Sequence, residues 1–176
     1  MLAANELPLE YAQNVLYEAL RLQCFASVCD ALKEDKKSYL SAVNEYRKMD
    51  NPAAFAKKMV TLHCGCKLDD ESYALLGRLF VCFFRKSNSR VAYPDSLRKK
   101  LALIQGNVCA ICGNPISYVK SKSELDHIIP WTYVGDILED NLQLLCHDCN
   151  SRKRSSILYS IKVMLRSGRF RKTSIN

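Results

Sequence analysis

No apolar run in the 176-residue sequence reaches the length of a membrane span. The opening stretch "MLAANELPLE" lacks the basic region that begins a secretion signal. Together these absences argue against a membrane partner and make a soluble cytoplasmic protein the expectation. Internal repeats and low-complexity tracts are also missing. With 48% hydrophobic and 25% charged residues, the chain reads as globular and not disordered. Its length gives room for one domain or two small ones, with a real core. Histidine is scarce, with only three in the chain, so each must be weighed individually.

Cysteine, in contrast, is abundant at nine residues. Without a secretion signal these thiols are expected to be reduced, and clustered ones point to metal. The net charge of +8 points weakly toward a polyanionic partner, and it is unevenly placed. Residues 1–94 carry 13 basic and 11 acidic side chains, whereas residues 95–176 carry 13 and 7. This shift coincides with "SNSRVAYPDS", a break rich in Ser and Asn that contains Pro94. We place the domain boundary there, between residues 1–94 and 95–176.

The first half reads as helices. Pro8 stands near one helix start, and Val15, Leu16, Ala19, Leu22, Ala26 and Cys29 recur at steps of three and four. "KKSYLSAVNEYRKM" is a shorter helix. Asn51 and Pro52 open another, and Gly65 can close it. "DDESYALLGRLFVCFFRK" has an acidic start and a basic end, as the helix dipole favours. Its middle is apolar nearly all round. It must therefore be the central helix of a bundle, or present an apolar strip to a second chain. The near-neutral first half is thus expected to mediate assembly, as a homodimer or with a partner protein. Cys64 and Cys66 in "HCGC" are too few to close a metal site and read as incidental thiols at a helix-end turn. Cys24, Cys29 and Cys82 read as small core residues.

The second half concentrates the chemistry. "CAIC" supplies Cys109 and Cys112, and "CHDC" supplies Cys146 and Cys149. Two such pairs a few dozen residues apart suit a four-thiolate zinc site, each pair wrapping one side of a tetrahedral ion. Gly113 suits the φ > 0 turn of a zinc knuckle. Such a site keeps no open position, so this zinc is structural. Between the knuckles lies "ELDHIIPW", which places Asp126 and His127 in a strand-like apolar run. Burying either side chain costs free energy unless it finds a partner.

Taken in order, Cys-x-x-Cys, Asp-His-Ile-x-Pro, Asn-Leu-x-x-Leu-Cys and Cys-Asn-x-x-Lys resemble the HNH endonucleases, the ββα-metal nuclease family. The resemblance covers roughly residues 95–160. It implies an α+β, mostly helical chain in which a helical domain precedes a zinc-stapled ββα nuclease domain. It implies metal-dependent hydrolysis of DNA phosphodiesters, leaving 5′-phosphate and 3′-hydroxyl ends. His127 is then the general base, suited by its near-neutral titration. Asp126 and Asn150 are the ligands of one catalytic Mg²⁺ or Mn²⁺, a hard cation that oxygen donors suit. Asn141 belongs to the catalytic set as the residue that tethers the loop and holds His127 in register. The last HNH position is asparagine here, a variant that the family shares. His147, between two zinc ligands, is expected to face solvent or a phosphate.

"NSRKRSS" adds Arg152, Lys153 and Arg154 as candidate nucleic-acid contacts, and the tail "RSGRFRK" can extend that track through Arg166, Arg169, Arg171 and Lys172. No base-reading element is identifiable. The alternative reading is a non-catalytic, zinc-containing nucleic-acid-binding or adaptor module. Asp126, His127 and Asn150 together favour the nuclease. Phage defence, restriction and mobile-element roles are all compatible with the chain.

Overall fold

Side-chain caps fix where the early helices begin. Asp35 accepts hydrogen bonds from the N–H groups of Lys37 and Ser38, Asn51 from those of Ala53 and Ala54, and Asp69 from that of Ser72. They open α2 (Lys36–Lys48), α3 (Pro52–Cys64) and α4 (Asp70–Arg85), which follow α1 (Leu9–Glu34). Gly65 ends α3 at φ 65°. The computed structural model describes residues 9–138, 140–159 and 161. Pro8 and the basic tail beyond residue 161 lie outside them. None of the helices is long and apolar enough, among the described residues, to cross a membrane.

Along α1 the inward stripe comprises Val15, Ala19, Leu22, Ala26 and Cys29, but Leu16 is 58% exposed. Leu16 is one residue from Val15 and so about 100° round the helix, off the buried face. The apolar α4 takes the role of central helix. Tyr73, Leu76, Leu79, Phe80, Cys82 and Phe83 are all buried, against α1, α3 and the second half of the chain. Phe25, Phe55, Phe80 and Phe83 have essentially no solvent access. Each contributes about 1.5–3 kcal/mol by leaving water. Most of the apolar surface of α4 is therefore covered within this chain.

The second half holds α5 (Asp95–Ile104), β1 (Glu124–His127), α6 (Trp131–Val134), β2 (Leu142–Leu145) and α7 (His147–Lys153). β1 and β2 pair antiparallel, which sets Asp126 opposite Gln143 and His127 opposite Leu142. Arg98 of α5 is buried and donates to the carbonyls of Tyr118 and Ser123, which fixes the loop entering β1. Gln105 is buried beside β2. Its amide nitrogen donates to the carbonyls of Val108 and Leu144, and its oxygen accepts from Leu144 N–H. The whole is α+β and mostly helical, with one small sheet.

The core is continuous across residues 94 and 95. Ile129, Tyr133, Val134 and Ile157 pack in the same apolar cluster as Phe25, Phe80 and Phe83. Tyr133 donates its hydroxyl to Asp30 of α1 at 2.8 Å, and Lys33 lies 3.5 Å from the Tyr133 ring centroid. Lys86, at the end of α4, donates to the Thr132 carbonyl. Irregular backbone does separate the halves at residues 86–94. It is pinned backbone, as the site below requires.

Candidate active site

The knuckle forms from a tight hairpin facing the start of α7. Cys109 N–H donates to the Asn114 carbonyl, Gly113 N–H donates back to Cys109, and Gly113 adopts φ 75°. Ala110 N–H reaches the Leu144 carbonyl, so the hairpin is tied to β2. The sulfurs of Cys109, Cys112, Cys146 and Cys149 all lie within 4.8 Å of one another, with Cys112 and Cys146 3.9 Å apart. A tetrahedral zinc with bonds of about 2.3 Å requires sulfurs about 3.8 Å apart.

Burial raises the Cys149 thiol well above its ordinary range, and the neighbouring sulfurs raise it further. Burial also raises Cys112. Burial would raise Cys109 too, but N–H groups of Cys112, Cys146 and Ile111 aimed at its sulfur bring it below the thiol range. Four crowded sulfurs cannot all ionise unless a positive ion sits among them. The donor set therefore fits a structural metal.

Next to the knuckle is a cleft of about 520 Å³. Its walls include Asp126, His127, Trp131, Asn150, Arg154 and Arg90. β1 brings Asp126 and His127 to it, and α7 brings Asn150, one residue beyond the knuckle cysteine Cys149. Asn141 lies behind the wall. Its oxygen accepts from Ile129 N–H at 2.7 Å and its nitrogen donates to the Ile129 carbonyl at 2.8 Å. That two-point clamp holds the backbone just past His127.

His127 has a partner that the sequence did not reveal. Its Nε2 lies 2.9 Å from Asp136 Oδ1. Asp136 also accepts from Tyr93 OH (2.6 Å), Trp131 Nε1 (2.8 Å) and Val91 N–H (3.0 Å). Burial would raise this carboxyl, but the bonds from Tyr93, Trp131, Val91 and His127 outweigh it and hold it at about 2. An ionised carboxylate only accepts, so Nε2 carries a proton, and in the neutral ring the lone pair is then on Nδ1. Gly135 makes the placement possible. It turns the chain at φ 62° directly before Asp136, and a Cβ there would lie 2.9 Å from that of Lys86.

Asp126 is met differently. Lys153 Nζ stands 3.2 Å from its Oδ1 and 3.0 Å from its Oδ2, and Gln143 Nε2 donates to Oδ2 at 2.9 Å. Oδ1 accepts from Lys153 and Oδ2 from Gln143, so each oxygen keeps acceptor capacity. Lys153 also donates to the His127 carbonyl at 2.7 Å and is 0% exposed. This corrects its expected place on a phosphate-facing surface: the ammonium is committed to β1. Arg152 and Arg154 are exposed as expected. His147 faces solvent, 3.5 Å from Glu124. In the helical half, Cys66 Sγ lies 3.5 Å from Cys24 Sγ, and Cys64 Sγ contacts the Cys24 carbonyl.

Residues 109–156 match the family model of the HNH endonucleases. This segment is an HNH domain. The match runs from the first knuckle cysteine to just beyond α7, so it takes in the four-cysteine cluster, β1, β2 and the cleft residues they carry. Neither a curated protein nor a solved structure matches the chain. The HNH domain places the chain among proteins that act on nucleic acid. Arg90, Val91 and Tyr93 reach the domain from outside the matched segment.

Proposed function

We propose that the protein is a metal-dependent endonuclease that hydrolyses DNA phosphodiester bonds, with its centre in the HNH cleft. The observation carrying this reading is His127, bonded from behind by Asp136, in one cleft with Asp126, Asn150 and Arg154. His127 takes a proton from the attacking water at Nδ1. Asp136 holds the ring in the tautomer that leaves Nδ1 free and stabilises the imidazolium once it forms. Asn141 fixes the strand end on which His127 sits. Asp126 and Asn150 would hold a Mg²⁺ or Mn²⁺ ion. Bound there, that ion supplies charge to offset the negative charge building on the phosphate and the leaving oxygen. Arg152 and Arg154 contact the backbone phosphates. Zinc at the four cysteines holds α7, and so Asn150, in place. The products are 5′-phosphate and 3′-hydroxyl ends.

One observation favours a second reading. The Lys153 ammonium already neutralises Asp126, which suits a nucleic-acid-binding module with no catalytic ion. Incubation of plasmid DNA with Mg²⁺ or Mn²⁺, wild type against His127→Ala, separates the two. The nuclease reading requires wild-type cutting that falls by about 10²–10⁴-fold in the variant while zinc content and DNA binding persist. Equal rates in the two proteins, or no cutting by either, would overturn it.

A further inference from the structure

We infer that Arg90, outside the HNH-matched segment, is a phosphate-binding residue of the cleft and grips the nucleic-acid backbone together with Arg154. The inference rests on the nucleic-acid reading above and adds to it a contact from the segment that joins the two halves. Three observations carry it. Arg90 and Arg154 both line the cleft that contains His127, Asp126 and Asn150. Among the described residues, no carboxylate forms an ion pair with either arginine. Arg90 is also held, with its guanidinium 5.2 Å from the Trp131 ring centroid.

The hold is built from both sides. Trp131 is itself fixed, because its Nε1 donates to Asp136 Oδ2. The backbone next to Arg90 is fixed too, because Val91 N–H donates to the same oxygen and Tyr93 OH to the other. A guanidinium resting on an aromatic face keeps its N–H edge available and has already lost much of its rotamer freedom. Its forked donors match a phosphate better than an ammonium does. Asp136 thus anchors both the ring of His127 and the platform beneath Arg90. A phosphodiester gripped by Arg90 is thereby placed in register with the base. The ligand class is the phosphate of a nucleic-acid strand, contacted without regard to base.

The test uses full-length protein carrying His127→Ala, so that DNA is bound and not consumed. Affinity for a duplex oligonucleotide is measured against salt concentration, with Arg90→Gln and Arg90→Lys added. The glutamine variant should bind several-fold more weakly, and its log–log salt slope should be shallower by about 0.9, the value of one phosphate contact on duplex DNA. The lysine variant should recover the slope. Thermal unfolding should be unchanged, because Arg90 is exposed. A purely structural role for Arg90 would shift unfolding and leave the salt slope alone. Superimposable binding curves for the glutamine variant, or no DNA binding by the parent, would overturn the inference. If DNA is cut by the wild type but the slope ignores Arg90, this inference alone falls. If the slope responds but no DNA is cut, the catalytic reading falls and the phosphate site stands.

Discussion

Replacing Asp136 with asparagine should switch the proton on His127 while sparing the fold. Asp136 accepts four hydrogen bonds, two on each oxygen. Val91 N–H and Trp131 Nε1 meet Oδ2, whereas Tyr93 OH and His127 Nε2 meet Oδ1. An asparagine must turn its NH₂ toward one of these pairs. Turned toward Val91 and Trp131 it would face two groups that can only donate, and each orphaned buried donor costs about 1–3 kcal/mol. Turned toward Tyr93 and His127 it faces a hydroxyl oxygen and a ring nitrogen, and both can accept. The amide therefore takes the second orientation. Nε2 of His127 must then accept, its proton moves to Nδ1, and the lone pair proposed as the base disappears. The expected loss is about 10²–10⁴ in the single-turnover cleavage rate.

Stability should change by much less, about 1–2 kcal/mol, because all four positions remain bonded and only the charge is lost. That difference should depend on pH. The folded-state carboxyl is held at about 2, below its ordinary range. Its stabilisation is therefore fully present above about pH 4 and is lost as pH falls toward 2. Urea midpoints of wild type and variant should converge over that window. The tautomer can be read directly from long-range nitrogen–proton couplings of the histidine ring. A variant that cuts DNA within about threefold of wild type, or that keeps its proton on Nε2, would refute the reasoning.

Lys153→Met should strand Asp126 as a buried charge and cost about 3–5 kcal/mol in urea unfolding, leaving the salt slope of DNA binding unchanged; a surface phosphate contact would give the reverse pattern. Cys146→Ser should release one zinc per chain, measured by elemental analysis, and unfold the second half, since metal binding and folding are coupled there; retention of a full equivalent would remove the four-thiolate site. Gly135→Ala should cost about 1–3 kcal/mol in unfolding for a side chain forced to φ 62°, and should depress cleavage as strongly as Asp136→Asn because it displaces the same carboxylate.

What the sequence revealed follows from which signals are local. Two Cys-x-x-Cys pairs identify the knuckle because its turns are built by residues within each pair. Asn51 announces a helix start because a cap bonds N–H groups two or three residues away. Asp136 sends no such signal. Of its four partners, Val91 and Tyr93 lie 45 and 43 residues distant in the chain, and only the fold brings them together. Lys153 is a different case, since the clue was present. It stands four residues after the knuckle cysteine Cys149, on the same face of α7, and that face is buried. Placed between Arg152 and Arg154 it reads as one member of a basic run, yet the helical phase turns it inward while its two neighbours face out.

The boundary after residue 94 teaches a related lesson. "SNSRVAYPDS" has the composition of a linker, and its backbone is indeed irregular. Irregular backbone still carries donors. In this stretch Val91 N–H and Tyr93 OH supply two of the four bonds that keep Asp136 ionised and aimed at His127. Lys86, Asp30 and the phenylalanines of the helical half meanwhile hold α6, whose first residue is Trp131, against the core. The orientation of the proposed base therefore depends on residues that precede the HNH domain. A cut at residue 95 would keep every HNH motif yet remove half the hydrogen bonds to Asp136. The helical half is in this sense a part of the site, and its contribution is to hold one carboxylate, one indole and one arginine around a histidine.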